Sequence, residues 1–469
     1  MIHFGTGGWR AIIGDEFTKE NIQIFACALA QKMKDEKVDN QGIIIGYDRR
    51  FLSKEAMRWI SEVLAFNGIK CRLVNKSCPT PVIMYLVQRD ELAYGLMITA
   101  SHNPALYNGI KVFTKGGKDA DVEVTQNIEE YISKVELPVK HLDYQDGLDS
   151  KMIEEIYPIN DYIDFILADI DCEAIKKANL KIALDPMYGV SETAIKTIMI
   201  TCRTEVETIH GGHDTLFGGH MPAPDEMLMD ELTTFVKVRN CDLGIATDGD
   251  ADRIGIIDDT GRYLDANDIL LLLYWYLMEY RNMKGPVVRN LCTTHSLDEL
   301  AKQYGQKCYE VPVGFKWISS KMDEVNAIIG GESSGGMTIQ GRTKGKDGVY
   351  AAALLVEMIA KTGKSISKLY DEIKSRCGHR EIVSKAYSFK PELKESFIKK
   401  IMEDKMIPEF DKKIDHISYM DGCKIYFEDD SWVSVRFSGT EPLLRIFAEA
   451  KSLKEAEKIC SIWADYLNI

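Results

Sequence analysis

The sequence predicts an α/β fold that ends in a smaller α+β domain, and three observations lead to this prediction. The chain has 469 residues, more than one hydrophobic core usually serves, so about three or four domains are expected. Short apolar runs, such as residues 42–46 and 94–99, alternate with longer helical patterns such as residues 53–67, which is typical of βαβ units. From about Ser384 the pattern changes to a charged helix, alternating strands and a final helix.

The α/β rhythm restarts twice along the chain. Apolar runs at residues 181–185 and 285–288 each follow a mostly polar or helical connector. Within the C-terminal part, residues 423–427 and 432–437 are predicted strands. These changes predict four domains, at residues 1–150, 151–258, 259–372 and 373–469.

The composition excludes several classes of protein. With 45% hydrophobic and 28% charged residues, the chain is predicted to be neither disordered nor fibrous. Its 58 basic and 72 acidic side chains give a formal charge of −14, which repels nucleic-acid backbones and anionic lipid. We therefore expect no nucleic-acid partner. A membrane partner is not expected either, since the most apolar stretch, residues 269–278, is about half as long as a membrane span requires.

The cysteines and the first residues predict a reduced, cytoplasmic protein. The eleven cysteines are scattered, and the nearest pair in the sequence is Cys71 and Cys78, so a CxxC spacing and a small disulfide framework are both absent. No basic segment followed by a long apolar run opens the sequence, so we predict no secretory signal.

The most informative motif is an acidic loop at residues 248–253 (DGDADR), between two apolar runs. Asp248, Asp250 and Asp252 stand at alternate positions and would project to one side of an extended loop. At about 5 Å and an effective dielectric near 20, each carboxylate pair repels by roughly 3 kcal/mol, so a cation is expected among them. An all-oxygen ligand set favours Mg²⁺ over Zn²⁺.

Two other interpretations of this loop stay open. In an EF-hand the three aspartates would take the first, third and fifth positions, but the sixth is Arg253 instead of glycine and the flanks are strand-like. The other interpretation is a solvated acidic turn, which does not require aspartates at strictly alternate sites.

A second motif, residues 99–104 (TASHNP), follows a predicted strand. It places Ser101 at the carboxyl end of that strand, where open α/β sheets bind ligands. The GxSxG pattern of hydrolases is absent, and His102 would face away from Ser101 in an extended loop, which disfavours a Ser–His pair. Taken alone, these residues are more typical of a plain turn.

A third motif lies near the C-terminus, at residues 436–442 (RFSGTEP). This loop and the return strand supply two arginines, two hydroxyls and a glycine: Arg436, Ser438, Gly439, Thr440 and Arg445. With the exposed amides of the loop, these groups form a binding site for a dianion such as phosphate. A glycine hairpin with surface arginines is the alternative.

Three glycine-rich segments carry further polar residues. Residues 330–336 offer Glu332 and Ser334 on a flexible backbone, which suits hydrogen bonds to sugar hydroxyls. Arg10 and Lys316 each follow glycines closely, and a solvated turn is the simpler explanation of both.

Together and in this order, these motifs resemble those of the α-D-phosphohexomutase superfamily, the phosphoglucomutases and phosphomannomutases, over essentially the whole chain. The resemblance implies three consecutive α/β domains with mixed sheets plus a smaller α+β C-terminal domain around a central cleft. It also implies interconversion of glucose 1-phosphate and glucose 6-phosphate, or of mannose phosphates, through a phosphoserine enzyme. Hexose 1,6-bisphosphate would then be both intermediate and activator, and Mg²⁺ the cofactor.

The resemblance assigns roles residue by residue. Catalytic roles fall on Ser101, Lys111, Arg10 and His102. The metal ligands are Ser101, Asp248, Asp250 and Asp252. The substrate-binding residues are Arg253, Lys316, Glu332, Ser334, Arg436, Ser438, Gly439, Thr440 and Arg445. As a general base, Lys111 requires a pKa lowered by desolvation or by neighbouring positive charge.

Alternative functions remain. Within the superfamily these are phosphoglucosamine mutase and phosphopentomutase, although residues 314–316 and 331–334 look more like the glucose and mannose branches. Outside it, a metal-dependent phosphomonoesterase using Ser101 and a non-catalytic sugar-phosphate or Ca²⁺-binding protein are the other hypotheses.

Overall fold

The computed structural model describes residues 2–5, 7–437 and 443–469. Four sheets follow one another along the chain, and we name the units built on them domains I to IV. Domains I to III combine mixed sheets with helices, and domain IV is a smaller antiparallel sheet with helices, which confirms the predicted fold class. Among the described residues, no helix is both long enough and apolar enough to cross a bilayer.

Domain I is built on a mixed sheet flanked by helices. Its elements are β1 (Phe4–Gly5), β2 (Gly8–Ile12), α1 (Lys19–Asp35), β3 (Ile43–Tyr47), α2 (Ser53–Phe66), β4 (Cys71–Val74), α3 (Thr80–Arg89), β5 (Tyr94–Ile98), β6 (Tyr107–Thr114), β7 (Lys118–Asp119), α4 (Val122–Ile132), α5 (Tyr144–Asp149) and β8 (Ile153–Ile156). The strand order is β1-β2-β6-β5-β3-β4-β8, with β7 beside β6. Strand β3 is buried on both faces, as expected of a parallel strand covered by helices. Because β8 belongs to this sheet, we propose that domain I ends after it, beyond the boundary predicted at residue 150.

Domain II contains a second mixed sheet, in the order β10-β9-β11-β12-β13. Its elements are α6 (Ile159–Leu167), α7 (Cys172–Ala178), β9 (Lys181–Asp185), α8 (Glu192–Thr201), β10 (Glu205–Thr208), α9 (Asp230–Arg239), β11 (Leu243–Thr247), β12 (Ile254–Asp258) and β13 (Tyr263–Leu264). Strand β13 extends the sheet past the boundary predicted at residue 258, so we propose the boundary after β13. The structure pairs Cys172 with Cys202 in a disulfide, in contrast to the expectation of reduced cysteines; a separation of 30 residues gives no spacing signal in the sequence.

Domain III repeats the pattern, with the strand order β15-β14-β16-β17. Its elements are α10 (Ala266–Glu279), β14 (Val287–Asn290), α11 (Ser296–Gln303), β15 (Cys308–Val311), α12 (Phe315–Val325), β16 (Ile329–Gly331), β17 (Met337–Ile339), α13 (Gly348–Thr362) and α14 (Ile366–Cys377). Helix α10 contains the apolar stretch noted above. It begins after the N-cap residue Asp265, and it packs against α11, α13 and α14, which accounts for its apolar character on nearly every side.

Domain IV is an antiparallel sheet in the order β18-β22-β21-β20-β19. Its elements are β18 (Glu381–Ser388), α15 (Lys394–Ile398), β19 (Ile414–Ser418), β20 (Cys423–Phe427), β21 (Trp432–Phe437), β22 (Leu443–Ala450) and α16 (Leu453–Leu467). Strands β20 and β21 begin and end at the predicted residues. Their apolar side chains stand at alternate positions, and Cys423, Ile425, Phe427, Val433 and Val435 belong to the core of the domain. Helix α16 packs on β18 and β22 and closes the core of the domain.

The predicted site loops occupy equivalent places in the four domains. Each connects two adjacent antiparallel strands, namely β5 and β6, β11 and β12, β16 and β17, and β21 and β22. In domains I to III the first strand of each pair is also parallel to a neighbour, so the loop leaves the carboxyl end of a parallel strand. Such ends are where α/β sheets bind ligands.

Candidate active site

The loops of domains I and II meet at Ser101. The hydroxyl Oγ of Ser101 donates a hydrogen bond of 2.7 Å to Asp248 Oδ2, and both side chains are fully buried. A Cβ added to Gly249 would lie 2.8 Å from the backbone oxygen of Ser101, so glycine is required for the two loops to come this close. Residues 147 positions apart in the chain therefore form one site.

The three aspartates of the acidic loop form a buried cluster. One oxygen from each lies within 4.8 Å of the others. The first of them, Asp248, also accepts the backbone N–H groups of Asp252 and Arg253, at 3.1 and 3.0 Å. The complete burial of the carboxylates excludes the solvated acidic turn, and the strands on both flanks exclude the EF-hand.

Lys111 of β6 neutralises part of this cluster. Its Nζ lies 2.6 Å from Asp250 Oδ2 and 2.6 Å from Asp252 Oδ2. Burial lowers the pKa of Lys111, but the charges of the two carboxylates raise it more, so the pKa lies above the ordinary value for lysine. A lysine that acts as a general base requires a lowered pKa, so the raised pKa is the opposite of what that role needs. The sequence alone does not show that Asp250 and Asp252 lie beside Lys111.

The cluster fits a divalent cation. Burial, together with the charges of Asp250 and Asp252, raises the pKa of Asp248, so the neighbouring cationic side chains do not fully offset the three carboxylates. Two buried oxygens, Asp250 Oδ1 and Asp252 Oδ1, have no hydrogen-bond partner among the described residues. These carboxylates and the Ser101 oxygen are hard ligands of the kind Mg²⁺ prefers.

Three further predicted residues surround Ser101. Arg253 Nε lies 3.9 Å from Asp248 Oδ2, and Arg10 Nη1 donates to the side-chain oxygen of Asn103 at 2.7 Å. His102 is half-buried, and the charge of Arg253 lowers its pKa well below the usual range, with desolvation and the charge of Arg10 acting in the same direction. This lowered pKa favours the neutral form of the His102 imidazole.

Two residues of the cluster are not predicted from the sequence. Lys346 Nζ lies 3.0 Å from Asp252 Oδ2, and Thr80 Oγ1 donates to Asp250 Oδ2 at 2.5 Å. A Cβ at Gly336 would come within 2.1 Å of Lys346 Cδ, so the glycine makes room for the lysine to cross to the acidic loop. Glycines flank Lys346 in the sequence, as they precede Arg10 and Lys316, so the same pattern could have identified this lysine. No pattern of neighbouring residues identifies Thr80.

The glycine-rich loop of domain III presents Glu332 to the same region. Its Oε1 accepts the N–H of Gly314 at 2.9 Å and the Asn290 amide at 3.3 Å, which fixes the carboxylate beside the segment that carries Lys316. Lys316 is half-buried, and burial lowers its pKa. Ser334 is exposed at the tip of the loop.

In domain IV, Arg436 reaches back to domain III through Asp421. Asp421 Oδ2 accepts Nε and Nη2 of Arg436 at 2.9 and 2.8 Å, and also the N–H of Val313 at 2.9 Å. Arg445 is exposed and lies opposite Arg436 on the neighbouring strand. The remaining predicted residues of this loop, Ser438, Gly439 and Thr440, lie outside the described residues.

Comparison with known proteins shows that the four domains match the domains of one protein family, in the same order. Models of the phosphoglucomutase/phosphomannomutase alpha/beta/alpha domains I, II and III match residues 1–138, 160–261 and 265–376, and the model of the C-terminal domain matches residues 398–465. A phosphoglucomutase/phosphomannomutase of Thermococcus kodakarensis is 32% identical over 97% of this chain and 96% of its own length. The chain belongs to the α-D-phosphohexomutase superfamily.

Other members of the superfamily differ in the sugar named for them. A phosphoglucosamine/phosphogalactosamine mutase of Sulfurisphaera tokodaii is 30% identical over 97% of both chains. The solved structure of a candidate phosphomannomutase from Thermus thermophilus has a TM-score of 0.87 and 26% identity, covering 100% of this chain and 99% of that one. The fold and order of domains are thus shared across members with different names.

Proposed function

We propose that this superfamily member is a cytoplasmic mutase that interconverts the 1- and 6-phosphates of glucose, or of mannose, through phosphorylated Ser101. The observation that carries the proposal is the hydrogen bond from Ser101 to Asp248 inside a buried cluster of opposite charges. Phosphoglucosamine is a second candidate substrate, favoured by the Sulfurisphaera tokodaii relative.

We propose that Asp248, Asp250 and Asp252, with the oxygens of phosphorylated Ser101, hold Mg²⁺. When bound, the ion would supply positive charge to offset the negative charge of the phosphoryl oxygens. Arg253 adds positive charge on the same side of Ser101.

The protein's own side chains direct the transfer. The P–O bond to Ser101 breaks while a P–O bond to a sugar hydroxyl forms, and the proton of that hydroxyl passes to the oxygen left on Ser101. Lys111 is our candidate to relay this proton: its raised pKa keeps it as an ammonium, which can donate a proton to the oxygen of Ser101 and then take one from the sugar hydroxyl. Exchange of one phosphate monoester for another is nearly isoergic, so the site has only to stabilise the transition state.

Domains III and IV would hold the rest of the substrate. The fixed carboxylate of Glu332 can accept hydrogen bonds from sugar hydroxyls through Oε2, because Oε1 is already occupied by Gly314 and Asn290. The guanidinium of Arg436 can bind the phosphate that does not react. After the first transfer the bisphosphate turns round and returns its other phosphoryl group to Ser101.

A coupled assay tests the proposal. The 1-phosphates of glucose, mannose, glucosamine and ribose are compared with Mg²⁺, with and without trace glucose 1,6-bisphosphate. We expect isomerisation that requires the bisphosphate, and a gain in intact mass of about 80 Da that Ser101→Ala abolishes. Release of inorganic phosphate without isomerisation would instead identify a phosphomonoesterase.

A further inference from the structure

Arg50, which follows β3, lies directly beneath the loop that carries Ser101. Its Nη2 donates to the backbone oxygens of Ser101 and Asn103 at 2.6 and 2.5 Å, and its Nη1 donates to those of Pro104 and Tyr107 at 2.9 Å each. The arginine is only 3% exposed, so one guanidinium satisfies four carbonyl groups around the reactive residue.

The backbone of this loop needs such support. Ser101 has a φ of +53°, in the left-handed region that residues other than glycine rarely adopt. A strained residue of this kind persists only where its surroundings determine its conformation. The same turn directs its carbonyl groups into the protein, where each would be costly without a donor.

Arg50 is itself held in place. Asp48 lies 3.4 Å from Arg50 Nε, and its Oδ1 accepts the N–H of Arg50 at 2.9 Å and the hydroxyl of Ser53 at 2.8 Å. The ring of Phe217 from domain II lies 4.9 Å from the guanidinium. The orientation of Arg50 is therefore fixed before any substrate binds.

We propose that Arg50 is a positioning residue for phosphoryl transfer, which orients Ser101 toward the acidic loop through the backbone oxygens of residues 101–107. This inference rests on the proposed function. Arg50 donates to the backbone and not to Asp248, so its loss should slow the transfer step and leave substrate affinity almost unchanged. A lysine keeps the charge but cannot place planar donors on four oxygens.

The test compares Arg50→Lys with Arg49→Lys. Arg49 is a matched control, since it is the adjacent residue and also donates to backbone oxygens, those of Tyr188, Gly211 and Gly212. For Arg50→Lys we expect kcat to fall about 100-fold, the size of effect that a misplaced reacting group produces, with KM within about threefold. For Arg49→Lys we expect both constants within about threefold of the wild type.

The rate at which glucose 1,6-bisphosphate phosphorylates Ser101, followed by intact mass, is the second measurement. It should fall with kcat in Arg50→Lys and not in Arg49→Lys. Unchanged kcat and phosphorylation rate in folded Arg50→Lys, or equal losses in both variants, would overturn the inference. If Arg50→Lys does not fold, Asp48→Asn decides: a lower kcat with unchanged KM supports the inference, and an unchanged kcat overturns it.

These results separate the inference from the proposed function. A wild-type chain that accepts the phosphoryl group from the bisphosphate but isomerises no sugar phosphate would refute the mutase activity. The role of Arg50 would then be judged on the phosphorylation rate alone.

Discussion

Two junctions between neighbouring domains build the candidate site, and they are made differently. Where domains I and II meet, Ser101, Lys111 and the acidic loop are almost entirely buried and joined by contacts of 2.6 to 2.7 Å. Where domains III and IV meet near the predicted phosphate loop, Arg436 and Asp421 keep 19% and 27% of their side chains exposed. The first junction is assembled before substrate arrives, whereas the second holds its arginine with a carboxylate that a phosphate can replace.

This difference predicts which kinetic constant each junction controls. Changes in the buried junction should lower kcat, because its groups act on the phosphoryl group in transfer. Changes in the exposed junction should raise KM, because its arginine binds a phosphate that does not react.

The largest effect is expected from Asp252→Asn. This carboxylate contacts both Lys111 and Lys346, and its loss removes one ligand from the proposed metal site. We expect kcat to fall about 1,000-fold at saturating Mg²⁺, measured in the coupled assay. Asp259→Asn is the control, since Asp259 binds the N–H of Ser367 outside the cluster and should retain full turnover. Equal turnover in the two variants would show that the acidic loop is not catalytic.

Lys111→Met should have the next largest effect. We expect kcat to fall about 100-fold, and glucose 1,6-bisphosphate still to phosphorylate Ser101 but more slowly. Without Mg²⁺ the free energy of unfolding should also fall by about 3 kcal/mol, because Asp250 and Asp252 lose the ammonium that pairs with them. Urea unfolding in EDTA and in Mg²⁺ measures this loss, and Mg²⁺ should restore part of it.

The control for this variant is Lys115→Met, which removes an exposed lysine at the end of the same hairpin. It should change neither turnover nor stability. Full turnover in Lys111→Met would remove Lys111 from the reaction.

Arg436→Lys tests the exposed junction. A lysine cannot form the two parallel hydrogen bonds that a guanidinium gives to a phosphate, so we expect KM to rise about tenfold with kcat within about threefold. Arg380→Lys, at the far end of domain IV, is the control and should leave both constants unchanged. A fall in the kcat of Arg436→Lys without a change in KM would contradict the proposal that the two junctions control different kinetic constants.

The smallest effect on turnover is expected from His295, which lies half-buried between domains III and IV with Nε2 at 3.1 Å from Lys424 Nζ. Burial, together with the charges of Arg289 and Lys424, lowers the pKa of His295 to about 4. Glu310 Oε2, 3.9 Å from His295 Nε2, raises the pKa of His295 but does not offset this lowering. The unfolded chain therefore binds a proton near pH 6.5 that the folded chain does not, and stability falls as the pH drops from 6.5 toward 4.

We expect the free energy of unfolding to fall by about 2 kcal/mol between pH 6.5 and 4.5, measured by urea titration. His295→Gln should reduce this slope, while kcat at pH 7 stays within about twofold of the wild type. An unchanged slope in the variant would assign the acid sensitivity to other groups.

The parts of the fold and site that depend on local spacing could be predicted from the sequence. The bounds of β20 and β21 follow from the alternation of apolar and other residues in the sequence. The acidic loop follows from three aspartates at alternate positions. The position of Ser101 after a buried strand was also visible. In each case the signal lies within a few residues of the feature that it predicts.

The rest depends on packing between distant segments. Thr80 donates a hydrogen bond to Asp250, which is 170 residues away in the sequence. No pattern of residues near Thr80 predicts this contact. Arg50 donates to backbone oxygens, and every residue has one. The sequence therefore contains no pattern of side chains that would reveal the role of Arg50. The raised pKa of Lys111 likewise follows from partners in another domain.

The close approach of Gly336 to Lys346 limits how this site can vary. Any larger residue at 336 would occupy the path of the lysine side chain, which would then have to withdraw from Asp252. A bulkier residue at position 336 would therefore require another path for the Lys346 side chain or another positive charge beside Asp252. The missing side chain of Gly336 thus lets a second lysine, besides Lys111, reach the acidic loop.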